Sequence, residues 1–251
     1  MIDLKGKRAL VTGGSRGIGR ATALLLADCG ADVCIGYRSA APEAAEVVAE
    51  LRGRGVRGEA VAADLGTRTG ADHLFDETLQ RLGGLDIYVG NAGIWPAADV
   101  PLAEMDDERW RATMAANLDA IFWTTRRAVR AIQPGGRLVL VTSTAAQRGE
   151  AFHADYAASK GAVVSLVKSL AVELGPRDIT VNSVAPGWVD TDMSASALRG
   201  PDRARIDAGV PLGRVATAED VAGPIVFLCS PHARHVTGEI LNVNGGSVLC
   251  G

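Results

Sequence analysis

Between an apolar strand-like stretch, Arg8 to Thr12, and an apolar helix-like stretch, Gly17 to Cys29, the chain reads Thr12-Gly13-Gly14-Ser15-Arg16-Gly17-Ile18-Gly19. Glycines let the chain reverse tightly and bring its backbone close to a ligand. The helix that follows offers unpaired N–H groups and a partial positive charge to an anion. A glycine cluster alone says little, because many turns are rich in glycine. Placed between the first strand and first helix of a chain that alternates strand and helix, it is strong evidence of a phosphate-binding turn.

This chain does alternate. After the turn come a strand at Val33 to Gly36, a helix opened by Pro42 and running to Gly53, and a strand at Arg57 to Ala62. A helix at Thr69 to Leu82, a buried strand at Asp86 to Val89 and a long helix from Asp107 to Ile132 follow. The second half reads as strand Arg137 to Thr142, helix Asp155 to Leu174, strand Thr180 to Val184, helix Ala218 to Leu228 and strand Ile240 to Val243. Such alternation predicts an α/β fold: one doubly wound parallel sheet of about seven strands, with helices on both faces. No linker or repeat divides residues 1–251, so one domain is expected. Residues 188–212 are polar and broken by Gly200-Pro201 and Pro211. A segment of this kind after a strand's C-terminal end reads as a substrate lid.

Composition narrows the partners. A formal net charge of −3 offers no basic surface for nucleic acid or anionic membrane. No apolar run is long enough to span a bilayer, and Met1-Ile2-Asp3-Leu4-Lys5 reaches charge too early for a signal peptide. Cys29, Cys34, Cys229 and Cys250 show no paired spacing and read as reduced thiols of a cytoplasmic protein. His232 and His235 lack any partner pattern, so no metal site is expected.

The end of the second strand bears on the choice of cofactor. An Asp or Glu about 20 residues beyond the glycines would hold an adenosine ribose hydroxyl and favour NAD. Here the segment is Gly36-Tyr37-Arg38-Ser39, with no acid between Val33 and Pro42. Arg38, with Arg16 in the turn, is suited to clamp a 2′-phosphate instead, which predicts NADP(H).

One further pair stands out. In Asp155-Tyr156-Ala157-Ala158-Ser159-Lys160, one of three tyrosines and one of four lysines lie four residues apart, on one face of a predicted helix. Alone, such a pair is usually a solvated surface contact. It gains weight from its company, because these motifs in this order resemble the short-chain dehydrogenase/reductase family over essentially the whole chain. Beside Gly13, Ser15, Arg16, Gly17, Ile18 and Gly19 in the turn, and Arg38 and Ser39 after the second strand, Asp64-Leu65 resembles the pair that contacts the adenine ring. Asn91-Ala92-Gly93 matches the segment that steadies the sheet beside the cofactor. Pro186, Gly187, Val189 and Thr191 match the stretch along the nicotinamide. Asn117 falls where the family has a catalytic asparagine, and Ser143 lies 13 residues before Tyr156, the family's usual distance.

The resemblance implies a Rossmann-type fold, and a carbonyl reduced to a secondary alcohol by hydride transfer, with Asn117, Ser143, Tyr156 and Lys160 as the catalytic set. A free phenol, with a pKa near 10, is too weak a base at neutral pH. A neighbouring Lys160 ammonium, together with the positive nicotinamide of the oxidised cofactor, is expected to lower that value and let Tyr156 exchange a proton with the substrate oxygen. Ser143 would hold that oxygen, Lys160 would also bind the nicotinamide ribose, and Asn117 would anchor a proton-relaying water. Thr142 and Thr144 rival Ser143, and His153 reads as a loop residue. Among branches, bacterial 3-oxoacyl-acyl carrier protein reductases are most alike. Arg177 falls where they place a carrier-gripping arginine. The second carrier-binding region here is Gln133-Pro134-Gly135-Gly136, without cations. The implied substrate is therefore a 3-oxoacyl thioester or another small ketone, with an acyl carrier protein as one candidate partner. An NAD(P)-linked alcohol or sugar dehydrogenase and a silent nucleotide-binding sensor are the alternatives. The family is commonly a homotetramer, with the helices 107–132 and 155–174 pairing across one interface.

Overall fold

The computed structural model describes residues 2–249; Met1, Cys250 and Gly251 lie outside the described residues. Seven strands form one parallel sheet in the order β3-β2-β1-β4-β5-β6-β7. They are β1 (Arg8–Thr12), β2 (Asp32–Tyr37), β3 (Gly58–Ala62), β4 (Leu85–Gly90), β5 (Ile132–Val141), β6 (Thr180–Pro186) and β7 (Ile240–Val243). The helices are α1 (Gly17–Asp28), α2 (Ala41–Gly53), α3 (Arg68–Leu82), α4 (Asp107–Met114), α5 (Ala120–Ala131), α6 (Ala145–Arg148), α7 (Ala154–Leu174), α8 (Ala195–Leu198), α9 (Arg203–Ala208) and α10 (Ala218–Cys229).

Strand residues are apolar on both faces because both faces are covered. In β1, Val11 belongs to the core cluster that holds Leu26 of α1, Val47 of α2 and Ile225 of α10, while its neighbour Leu10 belongs to a second cluster with Leu74 of α3 and Val167 of α7. The strand order reverses direction between β1 and β4, so the chain ends leaving these two strands diverge. A crevice outside the carboxyl ends of the sheet follows from that reversal. The glycine-rich turn sits there.

Three elements depart from expectation. The helix foreseen over 107–132 contains a π turn at Ala115–Asp119 and ends at Ala131. The extra residue in that turn re-aims Asn117, which is fully buried. Ile132 already belongs to β5, pairing with Leu85 before a register shift, so this strand starts five residues earlier than Arg137. The stretch 188–212 is mostly helical: Val189 bridges to Ala216, Thr191 caps a turn over Asp192–Ser194, and α8 and α9 follow. Its polar residues are helix surface and caps, a pattern too short to show helical periodicity. Among the described residues no helix is long and apolar enough to cross a membrane, and Cys29, Cys34 and Cys229 are free.

Candidate active site

The turn after β1 is shaped by what side chains would strike. Gly13 has φ +66° and Gly17 φ +53°, the left-handed region that glycine enters without strain. A Cβ on Gly19 would stand 2.1 Å from the Gly13 carbonyl oxygen. The turn is tied to the end of β4. Asn91 donates from Nδ2 to Thr12 O at 2.9 Å, and the backbone N–H groups of Asn91 and Ala92 both donate to Thr12 Oγ1 at 3.0 Å. Helix α1 begins at Arg16 with no side-chain cap and no acid in its first turn. Its leading N–H groups thus remain available to an anion, and this donor set fits a diphosphate.

A cleft of about 460 Å³ runs from this turn along Arg38, Ser39, Asp64, Leu65, Ala92 and Gly93. Arg38 is exposed on the rim and makes no ion pair among the described residues. Arg16 faces Asp192 at 3.9 Å across the cleft mouth, with both side chains about two-thirds exposed. Gly19 does not line the cleft. It packs under the turn against Gly13 and Asn91, where a side chain would not fit.

The cleft continues into a second pocket of about 840 Å³, floored by Ser143, Tyr156, Lys160, Pro186, Gly187 and Val189, with Ile18, Asn91, Gly93 and Thr191 common to both. Lys160 is 4% exposed; its Nζ donates to Val141 O at 2.9 Å and lies 5.8 Å from the Tyr156 ring centroid. Burial pushes this ammonium down to about 8. Burial likewise pushes the Tyr156 phenol up to about 12, with the Ser143 hydroxyl pulling it down and the Glu150 carboxylate adding to the rise. The protein's own groups therefore do not by themselves lower the phenol. Among the protein's own groups, desolvation outweighs attraction and favours the neutral form of both. Ser143 Oγ accepts from the Ala145 N–H at 3.1 Å. Thr142, its rival, contacts Ser183 Oγ at 2.6 Å and donates to Val184 O at 3.1 Å, so its hydroxyl is engaged in the sheet.

Asn117 bridges outward from the π turn. Its Oδ1 accepts from Ile94 N–H at 2.7 Å, and its Nδ2 donates to Ile94 O at 3.0 Å and to Ser159 Oγ at 3.2 Å. A Cβ on Gly93 would fall 2.9 Å from Asn117 Oδ1 and 3.4 Å from Lys160 Nζ. Asn117, Gly93 and Lys160 thus meet at one point. Gathered there are a phenol, a hydroxyl and an ammonium beside a phosphate-binding turn, a set suited to proton exchange with an oxygen next to a bound dinucleotide.

Comparison with known proteins agrees. A family model described as Enoyl-(Acyl carrier protein) reductase matches residues 13–247. The chain belongs to the short-chain dehydrogenase/reductase family. A 3-oxoacyl-[acyl-carrier-protein] reductase of Synechocystis sp. is 39% identical over 99% of this chain and 100% of its own length. A hydroxynaphthalene reductase-like protein, Arp2, of Metarhizium majus is 41% identical over 98% and 96%. Among solved structures, a blue fluorescent protein from a metagenomic library, in complex with NADPH, superposes with TM-score 0.93 at 38% identity, covering 98% of this chain and 100% of that one.

Within this short-chain oxidoreductase, two groups near the pocket carried no signal in sequence. Trp95, Trp188 and Phe152 wall the second pocket. Asp155, fully buried one residue before Tyr156, accepts from Arg109 Nε at 3.1 Å and from Thr113 Oγ1 at 2.8 Å. Burial works to raise its pKa, but these hydrogen bonds outweigh it and hold the carboxyl below the ordinary carboxylate range. Arg109 also donates to Ala98 O at 2.6 Å, tying the loop after β4 to the start of α7. His153, expected in a loop, is 3% exposed at the N-terminal end of α7 and lies against Trp95. Arg177, expected at a carrier-gripping position, donates through its guanidinium to Val129 O at 2.9 Å and Ile132 O at 2.8 Å and so fastens α5 to β5.

Proposed function

We propose that this protein is an NADPH-dependent carbonyl reductase that converts a ketone, a 3-oxoacyl thioester or similar carbonyl, to a secondary alcohol. The observation that carries this reading is the meeting of Ser143, Tyr156 and Lys160 on the floor of a pocket continuous with the phosphate-binding turn. The nicotinamide, when bound, supplies the hydride. The turn from Gly13 to Ile18 and the N-terminus of α1 would hold the diphosphate, Asp64 and Leu65 would contact the adenine, and Asn91, Ala92 and Gly93 would steady the sheet beside the cofactor. Pro186, Gly187, Val189 and Thr191 border the nicotinamide side. Arg38, free on the rim beside Ser39, supports a 2′-phosphate partner, while Arg16 must exchange its Asp192 contact to join it.

Ser143 donates a hydrogen bond to the carbonyl oxygen as charge develops on it. Tyr156 delivers its proton to that oxygen. Its high proton affinity suits an acid that must stay protonated until the hydride arrives. Lys160 holds the ribose and, near pH 8, passes a proton back toward the phenol. Asn117 keeps the backbone at Ile94 in place and anchors the water that refills this path.

Residues 188–212 act as the lid over one domain spanning residues 1–251. Free thiols support a reducing, cytoplasmic setting. Exposed Phe122 on α5 and Val172 on α7 support a tetramer through those helices, which light scattering tests. The functional test is NADPH oxidation over a panel of ketones, with the alcohol identified. Turnover that prefers NADH about ten-fold would refute the cofactor assignment.

A further inference from the structure

We infer that the substrate is a planar aromatic ketone taken free from solution, not a flexible acyl chain delivered on a carrier. This rests on the ketone-reductase reading above and adds the class of ketone. The relatives' names divide between an acyl-carrier thioester and a hydroxynaphthalene, so they do not decide the matter; the pocket does.

Aromatic residues make up only 4% of the chain, yet two of its four tryptophans face each other in the pocket that holds Ser143 and Tyr156. Trp95 is fixed in place. Its Nε1 donates to Glu150 Oε1 at 3.0 Å, and its ring stacks on His153 with centroids 4.9 Å apart and planes 14° from parallel. Trp188 meets it edge-on at 5.7 Å and 80°. Flat walls held this firmly lose little freedom when a ligand enters, and they reward a rigid flat ligand through offset or edge-to-face ring contacts.

Phe152 adds an independent observation. It lines the same pocket, is 52% exposed, and has φ +66°, a conformation that bulky side chains avoid. Its carbonyl is held by Val100 N–H at 3.2 Å and Arg109 Nη2 at 3.4 Å. A strained residue that presents a phenyl ring to solvent at a pocket mouth points to a ligand there. Trp95, Trp188 and Phe152 share this pocket with Ser143 and Tyr156, so a fused-ring ketone held against them can reach both hydroxyls with its oxygen. A carrier protein, by contrast, finds no cation in Gln133-Pro134-Gly135-Gly136, and Arg177 already donates to two backbone carbonyls.

The test compares kcat/KM, with NADPH, for tetralone, for the acetoacetyl thioester of N-acetylcysteamine, and for a panel of aliphatic ketones and sugars. The wild type is expected to favour tetralone over the thioester by about ten-fold or more, and Trp95→Leu to lower that ratio by about ten-fold. NADPH fluorescence titration checks that the variant is folded; if it is not, Trp188→Leu and Phe152→Ala carry the same comparison. A wild-type ratio of one or below overturns the inference, as does a ratio unchanged in all folded variants. Failure to reduce tetralone while an aliphatic carbonyl is reduced overturns it too but leaves the reductase reading standing. The absence of NADPH oxidation with every carbonyl of the panel would sink that reading itself.

Discussion

Removing Arg109 should expose how the start of α7 is held. Asp155 is wholly inaccessible, and Arg109, 15% exposed, is its one ion-pair partner among the described residues. Arg109→Ala leaves the carboxylate buried with Thr113 and the Tyr156 backbone N–H as its remaining donors. Breaking a buried pair in this way costs about 3–5 kcal/mol, and the partial exposure of Arg109 places this case near 3. For a chain of this size that is a fall in Tm of about 6–12 °C.

The pH dependence gives the sign. In the wild type the folded pKa of Asp155 lies below its ordinary 3.8, so its contribution is present above about pH 4 and is lost as pH falls through the folded value. In the variant, burial is left to dominate and the folded pKa moves above 3.8. The destabilisation is then full at neutral pH and fades as pH falls toward the unfolded value. Urea denaturation of both proteins at pH 7.5 and pH 5 reads the gap, which should narrow at the lower pH. Arg109→Ala/Asp155→Asn should recover part of the loss. A gap under about 1 kcal/mol at pH 7.5, the size of an ordinary exposed pair, or one that widens on acidification, would refute the reasoning.

Three further outcomes follow from the same geometry. Lys160→Met should abolish turnover yet leave Tm at pH 7 at or above wild type. A lysine whose folded pKa is about 8 against an ordinary 10.5 opposes folding below pH 8, and that opposition is relieved as pH rises through 8 to 10.5; a variant that unfolds at pH 7 contradicts this. Arg38→Ala should raise KM for NADPH by about ten-fold or more with little change for NADH, since a charge-assisted hydrogen bond is worth about 1.5–3 kcal/mol. Equal effects on both cofactors would remove the 2′-phosphate from its role. Gly19→Ala should abolish NADPH binding, measured by fluorescence titration, because its methyl would sit against the Gly13 carbonyl; retained binding would show that the turn can shift.

Much of this was legible in sequence because short-range patterns carry it. Strand and helix order, the turn from Thr12 to Gly19, and the pairing of Tyr156 with Lys160 all rest on residues a few positions apart. The π turn at Asn117 was not legible, because Ala115-Ala116-Asn117-Leu118-Asp119 has ordinary helical propensity and the extra residue is accommodated by packing against Ile94 and Ser159. The Asp155–Arg109 pair spans 46 positions, and Trp95 reaches Glu150 over 55, so neither has a local signature. Proton affinity was not legible for a related reason. Spacing on a helix predicts that Lys160 and Tyr156 are neighbours, but burial, set by the whole fold, decides which charge state each prefers.

The central claim is that Tyr156 delivers the proton. Its most direct test is kcat for ketone reduction by Tyr156→Phe at saturating NADPH, with cofactor affinity measured on the same protein. The ring remains, so the packing beside Lys160 and Ser143 is kept while the hydroxyl is lost. The account predicts a fall in kcat of about 10²- to 10⁴-fold with NADPH affinity close to wild type. A variant that turns over within about ten-fold of wild type would contradict it.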